Sequence, residues 1–344
     1  MRIDIHAHYW PAQYMEALTA AGKSGLAGMA RQPDDFEERV ANLDRNETQL
    51  QVLSAIGLDV TLDDQVAAVS TTRLINDLNA DAGRRFPGRF AFFGSVPLPH
   101  VDAAIAETER CYDELGAIGI ALPCVVGDTP IDSPAFEPFW QNLARHDAVV
   151  YVHPTGSTSA VHPGLSDWGL HTALGSPVQI TAAPLRVLYS GLSKRHPSLR
   201  FVFAMCAGSL PYLWPRIERN LRRGLAGSAN QAAGAGFMSH VAKLPLDDPD
   251  DPLGGLRRFW YDTAIQDVPI ALLVARESYG ADRLLLGSDE IFASLADAIE
   301  HVQDSPYLSD EQKVAVLDQN AVELLGPDLD RFLDRASAGS VSSH

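Results

Sequence analysis

No run of about 18 apolar residues occurs in these 344 residues, which argues against a membrane-spanning helix. No cationic segment leads into an apolar stretch at the start, so no signal peptide is expected. Cysteine is scarce. Cys111, Cys124 and Cys206 are far apart, odd in number and form no Cys-x-x-Cys motif. That spacing excludes a thiolate zinc finger and a disulfide framework, and suggests a reducing cytoplasm. Positive charge is also short: 27 Lys and Arg stand against 44 Asp and Glu, for a net charge of −17. Such a chain repels phosphate backbones, so neither a nucleic acid nor a membrane is expected as a partner. An anionic small molecule is not excluded, because a metal ion and one or two arginines can reverse the field locally. Part of the acidity sits in Asp247-Asp248-Pro249-Asp250-Asp251, which reads as an exposed loop. No Gly-x-Gly-x-x-Gly follows the first strand, which disfavours a dinucleotide fold.

What is present is an alternation. Short apolar runs, each rich in Val, Ile, Leu or Phe, predict strands over 3–7, 50–56, 90–96, 118–122, 149–153, 199–205, 259–263 and 284–288. Amphipathic stretches predict helices over 36–46, 64–86, 102–115, 133–146, 177–195, 209–223, 268–279, 293–303 and 309–325. Gly116 is a suitable residue after the third helix, and Ser133-Pro134 a suitable start for the fourth. Eight strand–helix alternations predict an α/β fold, a (β/α)8 TIM barrel. The expected domain covers residues 1–335, with mouth loops at about 155–176 and 226–255. The Ser-rich segment 336–344 is expected to be a disordered tail.

Catalytic groups of such a barrel stand at the carboxyl ends of its strands. His6 and His8 end the first predicted strand, and side chains at i and i+2 share one face about 6.5–7 Å apart. His153 ends the fifth strand and Asp289 follows the eighth. Strand eight pairs with strand one when the barrel closes, which brings Asp289 beside the two histidines. Three imidazoles and a carboxylate suit Zn²⁺, with Mn²⁺ or Fe²⁺ as alternatives. Glu290 is a fallback ligand. His162 and His171, in the first mouth loop, are candidate proton carriers. His100, His146, His196, His240, His301 and His344 have helix or loop contexts and read as structural. Trp10, Trp168 and Phe292 are candidate pocket walls.

Several segments carry a resemblance. Ile-Asp-Ile-His-Ala-His-Tyr-Trp-Pro, Val-His-Pro-Thr, Ala-Gly-Ser-Leu-Pro-Tyr-Leu-Trp-Pro-Arg-Ile, Tyr-Asp-Thr-Ala and Leu-Leu-Gly-Ser-Asp resemble the amidohydrolase superfamily. The branch is that of 2-amino-3-carboxymuconate-6-semialdehyde decarboxylase. Segments 87–99 and 133–140 are similar to its 6-methylsalicylate decarboxylase type. The resemblance runs in register from about Arg2 to Leu325. It implies a (β/α)8 barrel, a mononuclear Zn²⁺ or Mn²⁺ site on His6, His8, His153 and Asp289, and nonoxidative cleavage of a small carboxylic acid. Some such proteins are hydratases or hydrolases.

The chain departs from that family at one place. A histidine is expected after strand six, where it serves proton transfer, but this sequence has Met205, followed by Cys206, Ala207 and Gly208. A thioether has no titratable proton. His162, His171, Glu290, Cys206 or Asp289 would then move protons, or the site is catalytically impaired. Arg216 matches a family position that binds the substrate carboxylate, often across a homodimer interface, and a guanidinium fork suits a carboxylate. Arg31 is the nearest candidate for a second substrate arginine. The expected function is that of a metal-dependent decarboxylase; a lactone, amide or alkene hydrolase or hydratase is the alternative.

Overall fold

The structure, a computed structural model, describes residues 1–23, 35–58, 61–155, 163–165, 168–229, 244–265 and 268–341. Eight strands follow one another in chain order: β1 (Ile3–His8), β2 (Leu50–Ser54), β3 (Phe90–Gly94), β4 (Gly119–Pro123), β5 (Val149–His153), β6 (Arg200–Phe203), β7 (Trp260–Asp262) and β8 (Leu284–Leu285). Every neighbouring pair is parallel. The sheet closes where the Ile5 N–H donates to the Leu286 carbonyl at 3.0 Å and the Asp289 N–H to the His6 carbonyl at 2.9 Å. This is the (β/α)8 barrel that the alternation predicts.

The apolar strand pattern has a direct cause. Barrel strands face side chains on the inside and helices on the outside, so both faces leave water. All five residues of β5 are buried, with Val149, Val150 and Val152 wholly so. Burying each such side chain contributes on the order of 1.5–3 kcal/mol.

The helices lie between the strands. The longer ones are α1 (Ala12–Ala20), α2 (Phe36–Arg45), α3 (Gln65–Arg85), α4 (Val101–Arg110), α5 (Glu137–Arg145), α6 (Ser176–Tyr189), α7 (Leu210–Ala229), α8 (Ile270–Tyr279) and α9 (Leu295–Gln303), with α10 (Pro327–Val341) last; the helix expected over 309–325 is present as Asp310–Val314 and Asn320–Leu325, joined by the π-turn Ala315–Gln319. Local chemistry sets their starts. The Asp35 carboxylate accepts from the Glu38 N–H at the head of α2, and Asp64 accepts from Val66 and Ala67 at the head of α3. Gly116 takes φ +79° and ends the π-turn Cys111–Leu115 that continues α4.

Several expectations differ from what is observed, among them the end of α7, which runs to Ala229 rather than stopping at 223. Helix α1 is not anticipated, because Pro11 supplies no capping side chain and the segment lacks a marked apolar stripe. The helix expected over 177–195 stops at Tyr189, where Gly191 turns left-handed, and resumes for Leu192–Arg195. Strand eight is shorter than expected, since residues after Leu285 turn to β1 rather than continuing along β7. The expected disordered tail is crossed by α10, which reaches Val341; residues 342–344 lie outside the described ones.

Candidate metal centre

The three strand-end histidines and Asp289 converge at one end of the barrel. His6 and His8 lie fully buried on β1, and His153 ends β5. Asp289 follows β8 at φ +58°, held by its N–H on the His6 carbonyl. One ligand atom from each residue lies within 4.8 Å of those of the other three. His6 Nε2 and His8 Nε2 are 3.3 Å apart; Asp289 Oδ1 stands 2.9 Å from His8 Nε2 and 3.2 Å from His6 Nε2. Ligand atoms about 2.0–2.1 Å from one shared ion in a tetrahedron lie about 3.3 Å apart. The three measured edges fit that requirement, and the donor set suits Zn²⁺ or Mn²⁺.

Outer groups aim these four side chains. His153 Nδ1 donates to the Pro154 carbonyl at 2.5 Å, which leaves its Nε2 free to bind an ion. Asp262, buried at the end of β7, places Oδ2 3.0 Å from His6 Nδ1, an ion-pair contact whose angle falls short of a hydrogen bond. Asp4, also on β1, accepts from the Ser288 N–H and hydroxyl, from Gln51 Nε2 and from the His6 N–H. It thereby ties β1, β2 and the turn after β8 together. Burial pushes its pKa up to about 6, against the hydrogen bonds from Ser288 and Gln51.

The metal-free cluster has a distinct proton arrangement. Burial opposes charge on His6, but the carboxylates of Asp262 and Asp289 overcome it and push the pKa up to about 10. Burial pushes His8 down. Burial, with His6 and His8 nearby, pushes His153 well down. Burial raises Asp289, yet the adjacent His6 and His8 outweigh it and hold the carboxyl below the ordinary range. One proton on His6 facing an ionised Asp289 satisfies all four directions.

The wall around the cluster is apolar and close. Trp10 is buried, donates from Nε1 to the Ala55 carbonyl at 3.0 Å, and has its ring 5.0 Å from that of His8. Phe292, largely exposed, lies 5.7 Å from the His8 ring and 5.5 Å from Trp10. Gly57 approaches from the turn after β2 at φ +108°; a Cβ there would stand 3.1 Å from His8 Cε1 and Trp10 Cζ2. Its neighbours Ile56 and Leu58 line a cavity of about 40 Å³ together with Tyr14, Ser95, Leu98 and Thr155.

The strand-six position is unusual in its backbone as well as its side chain. Met205, Cys206 and Ala207 all take φ between +50° and +56°, and Gly208 follows at +59°. Left-handed backbone costs a residue with a side chain about 1–2 kcal/mol. The turn is held by the Met205 N–H on Asp262 Oδ1 at 2.8 Å and by the Tyr279 hydroxyl on the Cys206 carbonyl. Met205 is half-buried against the core. Burial pushes the Cys206 thiol up, which makes it a poor proton carrier near neutrality.

Other expected residues fall elsewhere. Glu290 is not placed as a ligand: its oxygens accept from Asn42 Nδ2 at 3.2 Å and Gln51 Nε2 at 2.7 Å. His171 opens the π-turn His171–Gly175, half-exposed, and its ring bonds none of the described residues. Trp168 is 91% exposed, so it lines no enclosed pocket among the described residues. Arg216 is exposed on α7. His162 and Arg31 lie outside the described residues. The structural reading holds for His100, His146 and His196, which bond the Leu62 carbonyl, Glu109 and Glu137. Sequence reasoning missed Asp262 and Gly57. A carboxylate ending the apolar run at 259–262 was the available signal for the first.

A closed parallel barrel with imidazoles and a carboxylate at its strand ends defines the class: a (β/α)8 protein of the metal-site type. The sequence model of the amidohydrolase family matches residues 3–326, and the chain belongs to that family. It is 30% identical over 367 residues to the 6-methylsalicylic acid decarboxylase of Aspergillus aculeatus, covering 99% of each chain. Among solved structures, 5-carboxyvanillate decarboxylase from Sphingomonas paucimobilis matches with a TM-score of 0.78 at 21% identity, over 94% of this chain and 98% of that one. A dihydroxybenzoic acid decarboxylase from Polaromonas, solved with bound manganese and the inhibitor 2-nitroresorcinol, matches with a TM-score of 0.74 at 21% identity, over 94% and 96%.

Proposed function

We propose that this chain is a metal-dependent nonoxidative decarboxylase of a small aromatic or unsaturated carboxylic acid. The observation that carries the reading is the convergence of His6, His8, His153 and Asp289 within 4.8 Å at the strand ends, in a family with decarboxylase relatives. These four residues would hold Zn²⁺ or Mn²⁺; the manganese of the Polaromonas enzyme supports the second ion. When bound, the ion supplies Lewis-acid charge for the substrate's carboxylate and a neighbouring oxygen.

The chain's own residues do the rest. Trp10, Gly57 and Phe292 crowd the His8 side with apolar surface. Asp289, the one ligand side chain with substantial exposure, is assigned the proton transfer that Met205 cannot perform. A proton adds to the carbon that bears the carboxylate. The C–C bond then breaks, its electron pair returns to the ring or alkene, and CO₂ leaves. His171 is the second candidate proton carrier. Arg216, on the outer face of α7, is assigned to the substrate carboxylate of a partner subunit, which makes the expected assembly a homodimer. Three free, buried cysteines support a cytoplasmic location.

The test is metal analysis followed by incubation with a panel of hydroxybenzoates and enoic acids, read by mass spectrometry. Loss of CO₂ supports the reading. Gain of water, or no turnover by the metal-loaded protein across the panel, overturns it.

A further inference from the structure

We infer that Asp262 is a positioning residue that fixes His6 as an Nε2 metal ligand. The inference rests on the metal-centre reading above. Asp262 is fully buried and its two oxygens face different partners. Oδ1 accepts from the backbone N–H groups of Met205 at 2.8 Å and Ala264 at 3.1 Å. Oδ2 accepts from the Tyr151 hydroxyl at 3.0 Å and stands 3.0 Å from His6 Nδ1. A carboxylate oxygen this close to Nδ1 favours a proton on that nitrogen by its charge and leaves the lone pair of Nε2 facing His8 and Asp289.

The arrangement is built for this contact. Gly287 lies between the two side chains, and a Cβ there would stand 2.9 Å from Asp262 Cβ and 3.0 Å from His6 Cβ. The same carboxylate holds the amide of Met205. The left-handed turn at the end of β6 is therefore anchored to a metal ligand on β1 through one residue.

The geometry makes Asp262→Asn an unusually pointed substitution. Two backbone donors meet at Oδ1, so the amide oxygen must stay there. The amide nitrogen must then take the place of Oδ2 and donate toward His6 Nδ1. That favours the tautomer with its proton on Nε2, which cannot bind an ion. Size and the contacts to β6 and β7 are kept.

The experiment compares the wild type, Asp262→Asn and Tyr151→Phe. Zn²⁺ dissociation constants are measured by chelator competition, and visible spectra are recorded after Co²⁺ loading. Asp262→Asn is expected to raise the dissociation constant by about 10–100-fold and to alter the Co²⁺ spectrum. It also removes the buried carboxylate beside His6, so the metal-free protein is expected to unfold at lower denaturant, and the constant is read under conditions where the variant is folded. Tyr151→Phe removes the other partner of Oδ2 and is expected to leave the constant within about threefold, a range well below that of the outer-partner effect. Equal affinity in wild type and Asp262→Asn overturns the inference, as does an equal loss in Tyr151→Phe. If Asp262→Asn fails to fold, NMR of the Zn²⁺-loaded wild type decides: a protected Nδ1–H resonance of His6 is expected, and its absence overturns the inference. A wild type that binds no metal ion overturns the metal-centre reading itself.

Discussion

The backbone N–H of Asp289 donates to the carbonyl of His6 at 2.9 Å, and Asp289 Oδ1 stands 3.2 Å from His6 Nε2. One residue thus helps to close the barrel and completes the candidate ligand cluster. The closure carries the first consequence for mutagenesis. Asp289→Ala keeps the backbone bond but removes the carboxylate. Metal affinity is expected to fall by more than about 100-fold, beyond the range of outer-sphere partners. Elemental analysis after dialysis against chelator checks it, and retention of a full equivalent of metal by the variant refutes the ligand assignment.

A metal ion bound at His6 would have to displace a proton. In the metal-free protein its pKa is raised to about 10, His8 and His153 are lowered, and Asp289 stays ionised. Binding near pH 7 therefore displaces about one proton, and affinity rises about tenfold per pH unit until the pH nears 10. Titration calorimetry in buffers of different ionisation enthalpy counts the proton. The linkage sign for stability follows. The raised pKa of His6 stabilises the metal-free fold fully below about 6.5, and that contribution is lost as pH rises through about 10.

Met205→His restores a proton carrier where the resemblance expects one. Histidine is among the residues better tolerated at positive φ, so the turn at φ +56° accommodates it. Turnover is expected to rise, by about 10²-fold where general acid catalysis limits the rate. Unchanged or lower kcat with metal retained would show that the thioether shapes the pocket for a different proton route.

Gly57→Ala tests the close wall. The new methyl group meets His8 Cε1 at 3.1 Å, and φ +108° is unfavourable for any L side chain. A loss of about 1–3 kcal/mol in unfolding free energy is expected, together with weaker metal binding. Denaturant unfolding of the metal-free protein separates the two effects.

Arg216→Ala tests the assignment of substrate binding. If Arg216 holds the carboxylate equally in ground and transition states, KM rises by about tenfold or more and kcat holds. Unaltered KM returns Arg216 to the surface of α7, where it is exposed.

The barrel was legible because strand burial leaves a one-dimensional trace. Apolar runs of about five residues recur eight times, and β5 is observed with the predicted bounds 149–153. Strand ends were less legible, because pairing ends where a neighbour turns away: β6 stops at Phe203 and β8 at Leu285. The cluster His6, His8, His153 and Asp289 followed from strand order alone, whereas Glu290 did not join it. Glu290 follows Asp289 directly, yet its side chain faces Asn42 and Gln51, which come from other elements.

Local sequence, then, determined which residues can chelate: the i, i+2 spacing of His6 and His8 and the strand-end places of His153 and Asp289 are properties of short segments. The tertiary fold alone decided what stands behind and beside them. Asp262 reaches His6 because Gly287 leaves room between β7 and β1, and Gly57 reaches His8 because a left-handed turn carries it there. Such contacts depend on backbone direction and on missing side chains, and neither leaves a periodic mark in the chain.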